Sequence, residues 1–231
     1  MIMKMKEQIK PTREFLSTVY IVRDGKVLLT FNSKVNKFIP LGGHIEENEL
    51  PCEAVIREAK EESGYDIELI NGNDLTKNKI PQNLGIGLDI IKPEHHHINI
   101  AYLGKVIGGE MLSESDEGTE LRWFSPEEIS NHTEIFDDTK EKALKSIEIM
   151  KKIEEPKPGK RYRHFKGNDK IYEIIAIARD DDNLKTRYVI YKALYSGDFP
   201  TGTIWCRELN NFMGYKEFPD GTKVKRFTLI K

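Results

Sequence analysis

Glu58, Glu61 and Glu62 follow Arg57 in the stretch Glu49-Leu-Pro-Cys-Glu-Ala-Val-Ile-Arg57-Glu58-Ala59-Lys-Glu61-Glu62. On a helix advancing about 100° per residue, these three carboxylates fall within about 100° of one another and share a face. Cys52, Val55, Ile56 and Ala59 take the adjoining arc, so the helix can bury one side while aiming three acids into a cleft. Most charge runs on helices are solvated faces. In a recessed site, however, carboxylates roughly 5 to 6 Å apart repel by about 3 kcal/mol per pair at an effective dielectric near 20. Such a cluster calls for cations or protons. Hard oxygen donors with no adjoining Cys or regular His spacing select Mg2+, or Mn2+, over zinc. Helix geometry alone leaves a metal site and a solvated acidic face both open.

The wider stretch resembles the Nudix box, G-x5-E-x7-R-E-U-x-E-E-x-G-U with U apolar. Gly43, Glu49, Arg57, Glu58, Glu61, Glu62 and Gly64 fill every fixed position, while Ala59 is small and Tyr65 aromatic at the two U positions, departures that touch packing. The resemblance runs over about residues 14 to 150. It implies an α/β/α sandwich with a mixed sheet and an enzyme that cleaves a diphosphate linked to another moiety by attack of water at phosphorus. It further implies Glu58, Glu61 and Glu62 as Mg2+ ligands, Gly43 where backbone approaches the metal, and a Glu49–Arg57 ion pair bracing loop against helix. Bound divalent ions suit phosphoryl transfer, because they neutralise phosphate oxygens and lower the pKa of water. The box does not fix the general base; Glu114, Glu117 and Glu120, before Trp123, are the candidates. The competing class is a non-catalytic nucleotide sensor, which an intact set of box carboxylates disfavours.

Weaker signals surround the box. In His95-His96-His97, strand alternation lets only His95 and His97 converge; a metal role weighs less for them than contact with a substrate phosphate or base. His44 follows the box glycine and is a second candidate for substrate contact. Base and sugar are read by loops outside the box. Without a long N-terminal extension for swapping into a dimer, the expectation leans to normal or damaged nucleoside triphosphates over ADP-ribose.

These residues need a scaffold. Ser17 to Arg23 and Lys26 to Asn32 alternate around Asp24-Gly25, predicting a hairpin. Leu50 to Ser63 reads as a helix, with Pro51 in its first turn and Gly64 at its end. Strands are expected at Tyr65 to Ile70, Leu84 to Ile91 and Ile98 to Ile107. Ser125-Pro126-Glu127-Glu128 forms a capping box for a short helix, and Asp138 or Thr139 starts another running to about Lys152.

Lys151-Lys-Ile-Glu-Glu-Pro-Lys-Pro-Gly159 then breaks the pattern, predicting a catalytic domain over 1–152, a linker over 153–160 and an accessory domain over 161–231. From Arg161 onward there are 14 Lys and Arg against 9 Asp and Glu, a net +5; the residues before carry 22 against 29, a net −7. Twelve of the 21 aromatic residues also lie in this last part, so the two domains differ in chemistry. Four β-branched and aromatic runs, Ile171 to Arg179, Thr186 to Tyr195, Ile204 to Leu209 and Val224 to Ile230, predict a small all-β unit, an SH3-like barrel. Arg161 to Asn168, Val189 to Tyr195 and Ile204 to Leu209 resemble a small bacterial domain of uncharacterised function. Tyr162, Phe165, Tyr191, Trp205 and Phe212 read as core. Basic residues among aromatics could also bind single-stranded RNA, a partner less favoured than a packing or homodimer role. No run of 18 apolar residues suggests a membrane span, and only Cys52 and Cys206 are present, far apart. The reading is a soluble, cytoplasmic protein.

Overall fold

The computed structural model describes residues 10–70, 81–112 and 120–230. In chain order the first unit contains β1 (Thr12–Arg23), β2 (Lys26–Asn32), β3 (Lys37–Ile39), β4 (Leu41–His44), α1 (Pro51–Ser63), β5 (Tyr65–Leu69), β6 (Gly85–Lys92), β7 (His95–Gly109), β8 (Leu121–Phe124), α2 (Pro126–Asn131) and α3 (Asp137–Glu154). The hairpin between β1 and β2 turns at Asp24 and Gly25, both at positive φ, as a two-residue turn that follows the strand twist requires.

The sheet is mixed. Its path runs β3-β2-β1-β7-β5, with β4, β6 and β8 pairing β1, β7 and β2 respectively. β1 lies parallel to β7 and antiparallel to both β2 and β4. Alternate residues of β1 serve opposite faces, which is why its apolar run is nearly continuous. Val19 and Ile21 pack with Leu28, Leu41, Cys52, Val55 and Ala59 beneath α1. Tyr20 and Val22 pack with Phe38 of β3, Phe124 of β8 and Ile129, Ala143, Ile147 and Met150 of the α2 and α3 layer. Two buried faces make a three-layer α/β/α arrangement. The Ser125 capping box forms as expected, with Ser125 N–H donating to Glu128 Oε2 at 2.8 Å and Glu128 N–H to Ser125 Oγ at 3.2 Å.

The chain divides into two compact units, Met1–Lys152 and Ile153–Lys231. The second contains β9 (Arg161–His164), β10 (Ile171–Arg179), β11 (Arg187–Ala193), β12 (Ile204–Glu208), α4 (Leu209–Met213), β13 (Tyr215–Glu217), β14 (Lys223–Lys225) and β15 (Phe227–Leu229). Its antiparallel sheet has the order β12-β11-β10-β9-β15, and β13 and β14 form a separate ribbon. Here the expected SH3-like barrel is corrected: among the described residues the edge strands β12 and β15 do not pair, so the sheet is open. The reason is α4. Leu209 and Phe212 join Tyr162, Tyr172, Ile174, Val189, Tyr191 and Phe227 in the core, so a helical turn covers the sheet face where a barrel would curl over itself. Of the expected core aromatics, Tyr162, Tyr191 and Phe212 are buried, whereas Phe165 and Trp205 are half-buried.

Candidate active site

α1 begins one residue after Leu50, whose backbone N–H donates to the Glu53 carboxylate at 2.9 Å, and Pro51 sits in the first turn where no donor is lost. It ends at Gly64, whose φ of 77° is the left-handed conformation that stops a helix and lets its N–H reach Lys60 O. Cys52, Val55 and Ala59 are buried toward the sheet, which turns Arg57, Glu58 and Glu61 toward the end of β4. The buried Ser17 hydroxyl of β1 donates to Pro51 O at 2.6 Å and ties the helix start to the central strand.

Arg57 is the hub. Its Nε and Nη2 grip the two oxygens of Glu49 at 2.9 and 3.0 Å, a bidentate pair of the strong kind. Nη1 donates to Glu58 Oε1 at 2.9 Å and to Glu61 Oε2 at 3.1 Å, and Nη2 reaches His44 O at 3.3 Å. Glu49 and Glu58 are mostly buried, whereas Glu61 is exposed. The hydrogen bonds from Arg57 hold the Glu49 carboxyl below its usual pKa, and Glu49, followed by Glu58, raises that of the guanidinium in return. Glu49 Oε2 also accepts the Glu46 N–H at 3.0 Å, closing the turn before the helix.

Gly42 and Gly43 bring backbone against this cluster. Gly42 has φ 141°, and its N–H donates to Glu62 Oε2 at 2.9 Å; an added Cβ would overlap the Ser17 carbonyl and lie 2.7 Å from Thr18 Cα. At Gly43 an added Cβ would overlap the Glu58 carboxylate and lie 2.7 Å from its Cδ. Only a residue without a side chain lets that carboxylate and the β4 backbone line the same space.

The chain therefore brings Gly43, Glu49, Arg57, Glu58 and Glu61 into one network and directs Glu62 to the neighbouring amide. Three carboxylates face one guanidinium and a fourth, Glu62, lies on the adjoining amide, a surplus of negative charge suited to divalent cations. Glu114 and Glu117 lie outside the described residues. Glu120 is exposed just before β8, and its carbonyl accepts the Phe31 N–H. His44 and His97 stand in a second cluster with Glu14 and His95: His44 Nε2 lies 2.8 Å from Glu14 Oε2, and His95 Nε2 2.7 Å from His97 Nε2. Burial and the neighbouring His95 and His44 hold the His97 imidazole below its usual pKa. Glu14, like Ser17 and Gly42, escaped sequence reasoning. The His95 and His97 alternation was visible, but the strand facing them was not.

The family model described as NUDIX domain matches residues 15–146, more than half of the chain and the whole of this network. The chain belongs to the Nudix family. Its Nudix domain is 32% identical over 112 residues to "Uncharacterized Nudix hydrolase YvcI" of Bacillus subtilis (strain 168), a match that covers 47% of this chain and 63% of that protein. A crystal structure of a hydrolase of the NUDIX family from Clostridium perfringens superposes with a TM-score of 0.55 at 36% identity, covering 60% of this chain and 99% of that one. Beyond the Nudix domain, residues 160–229 match a second family, described as Protein of unknown function (DUF1653). No helix among the described residues is long and apolar enough to cross a membrane.

Proposed function

We propose that this Nudix protein is a Mg2+-dependent pyrophosphohydrolase that cleaves the diphosphate linkage of a small nucleoside diphosphate derivative, with nucleoside triphosphates included in that class. The observation that carries the reading is the Arg57 network, in which Glu49, Glu58 and Glu61 converge on one guanidinium beside a glycine that leaves room for the Glu58 carboxylate. The donor set fits the metal: carboxylate oxygens on one helix face, with no sulfur among them, are what a hard divalent cation takes. Glu58, Glu61 and Glu62 would hold it, with the Gly43 backbone alongside. When bound, it supplies charge neutralisation on the phosphate oxygens and a water of lowered pKa.

The protein's own part is positioning. Arg57 fixes Glu58 through Nη1 and anchors the Glu46 to Glu49 turn through its bidentate grip, so the acids are held before substrate arrives. The Gly42 amide orients Glu62 in the same way. A panel of nucleoside diphosphate derivatives and triphosphates, read by phosphate release and product identification, tests the reading. Glu61→Gln and Glu62→Gln should each lower kcat/KM by at least about 100-fold, the scale of losing a group that stabilises transition-state charge. Full activity of either variant after metal removal, or tight nucleotide binding with no turnover of any substrate, would overturn it in favour of a sensor.

A further inference from the structure

The second cluster has a different chemistry from the first. Glu14 lies on β1, and His95 and His97 at alternate positions of β7, where the parallel register sets Thr12 opposite His95 and Glu14 opposite His97. The ligand atoms of Glu14, His95 and His97 all lie within 4.8 Å of one another. His95 Nε2 and His97 Nε2 are 2.7 Å apart, and Glu14 Oε2 is 3.7 and 3.8 Å from them. A tetrahedral ion with bonds of about 2.0 to 2.1 Å needs ligand atoms about 3.3 Å apart. The three observed edges bracket that length.

The surrounding hydrogen bonds orient these groups. The Thr12 hydroxyl donates to Glu94 O at 3.1 Å, which leaves its oxygen to accept from His95 Nδ1, 3.2 Å away. With the His95 proton on Nδ1, this contact leaves the Nε2 lone pair facing the centre of the cluster. His44 Nε2 lies 2.8 Å from Glu14 Oε2 and holds that carboxylate from outside. Ligands steered by an outer layer of partners are the usual construction of a metal centre. Two imidazoles and a carboxylate favour a late first-row ion over Mg2+, and the carboxylate at the middle of the group repels an anion.

We propose that Glu14, His95 and His97 form a zinc site with three protein ligands and a fourth position open to solvent. The site is separate from the box carboxylates and stands whether or not the hydrolase reading does. Through His44, which follows Gly43 in β4 and whose carbonyl accepts from Arg57, it adjoins the Nudix network.

The test uses the full-length protein without a histidine tag, stripped by chelator, returned to millimolar Mg2+ and titrated with Zn2+ against a chromophoric competitor. One Zn2+ per chain is expected. Since losing an outer-layer partner weakens metal binding about 10- to 100-fold, His95→Ala, His97→Ala and Glu14→Gln should each weaken it by at least about 100-fold, and His44→Ala by less. Glu61→Gln should leave it unchanged. Circular dichroism of each metal-free variant separates a lost ligand from a lost fold. Wild-type protein loaded with Co2+ gives a reading independent of any variant, through the visible absorption bands of a four- or five-coordinate site. Absence of stoichiometric zinc, zinc binding kept in the His95→Ala and His97→Ala variants, or zinc binding lost in Glu61→Gln would each overturn the proposal. Hydrolysis failing while zinc binding persists would count against the proposed activity alone.

Discussion

At the scale of single residues, glycine decides as much as glutamate. Gly43 carries no chemistry of its own, yet a Cβ there would occupy the space of the Glu58 carboxylate, whose Oε1 takes the Arg57 Nη1–H. The obstructed atoms belong to the end of a flexible side chain, so Gly43→Ala should fold and displace Glu58. A misplacement near 1 Å can cost about 100-fold in rate. We expect kcat to fall by about that factor, with the melting temperature shifted only slightly, measured by steady-state assay beside thermal unfolding. A wild-type kcat in a folded Gly43→Ala protein would show that the Glu58 position does not matter to the chemistry. At Gly42 the obstruction is instead the backbone of Ser17 and Thr18, which cannot swing aside.

At the scale of elements, local sequence sets where helices start and burial sets which way they face. α2 has six residues, too few to persist alone, and relies on its capping box and on buried Ile129. Ser125→Ala should therefore lower stability by about 1 kcal/mol in urea unfolding. The Ser125 backbone N–H, then its hydroxyl, then Arg122 pull the Glu128 carboxyl down to about 2. A depressed carboxylate stabilises the fold above its unfolded pKa of about 4.5, and that contribution is lost as pH falls toward about 2. The stability gap between wild type and Glu128→Gln should thus be constant above about pH 4.5 and close below it. A gap that persists undiminished down to about pH 2 in acid titration by circular dichroism would assign the loss to packing.

At the scale of the whole molecule, the chain is a Nudix unit followed by an open antiparallel sheet with its own core. The buried face of α3, Thr139, Ala143, Ser146, Ile147 and Met150, ends before the boundary at Lys152. None of the Arg57 network lies beyond it. Truncation after Lys152 should leave a folded protein with turnover within about tenfold of the full chain, because no ligand or bracing group is removed. A loss of several orders of magnitude in a truncated protein still folded by circular dichroism would bring a residue such as Arg163, His164 or Arg207 into the catalytic step.

The hairpin at Asp24-Gly25, the span of α1 from Pro51 to Gly64 and the Ser125 cap were written locally, because each depends on residues within about four positions of one another. Membership of the family was also legible along the chain, in seven fixed letters between Gly43 and Gly64. What waited for the tertiary structure was everything set by strand order. The parallel pairing of β1 with β7 places Glu14 beside His97, 83 residues away, and nothing in either segment encodes that register by itself. The second unit shows the same limit. Its strand-forming runs were plain, but whether the sheet closes depends on how the chain continues after β12, and there Leu209 and Phe212 form a helical turn packed into the core, while β12 and β15 stay unpaired with each other. Periodicity reports which face of an element is apolar; which partner that face meets is a property of the packed whole.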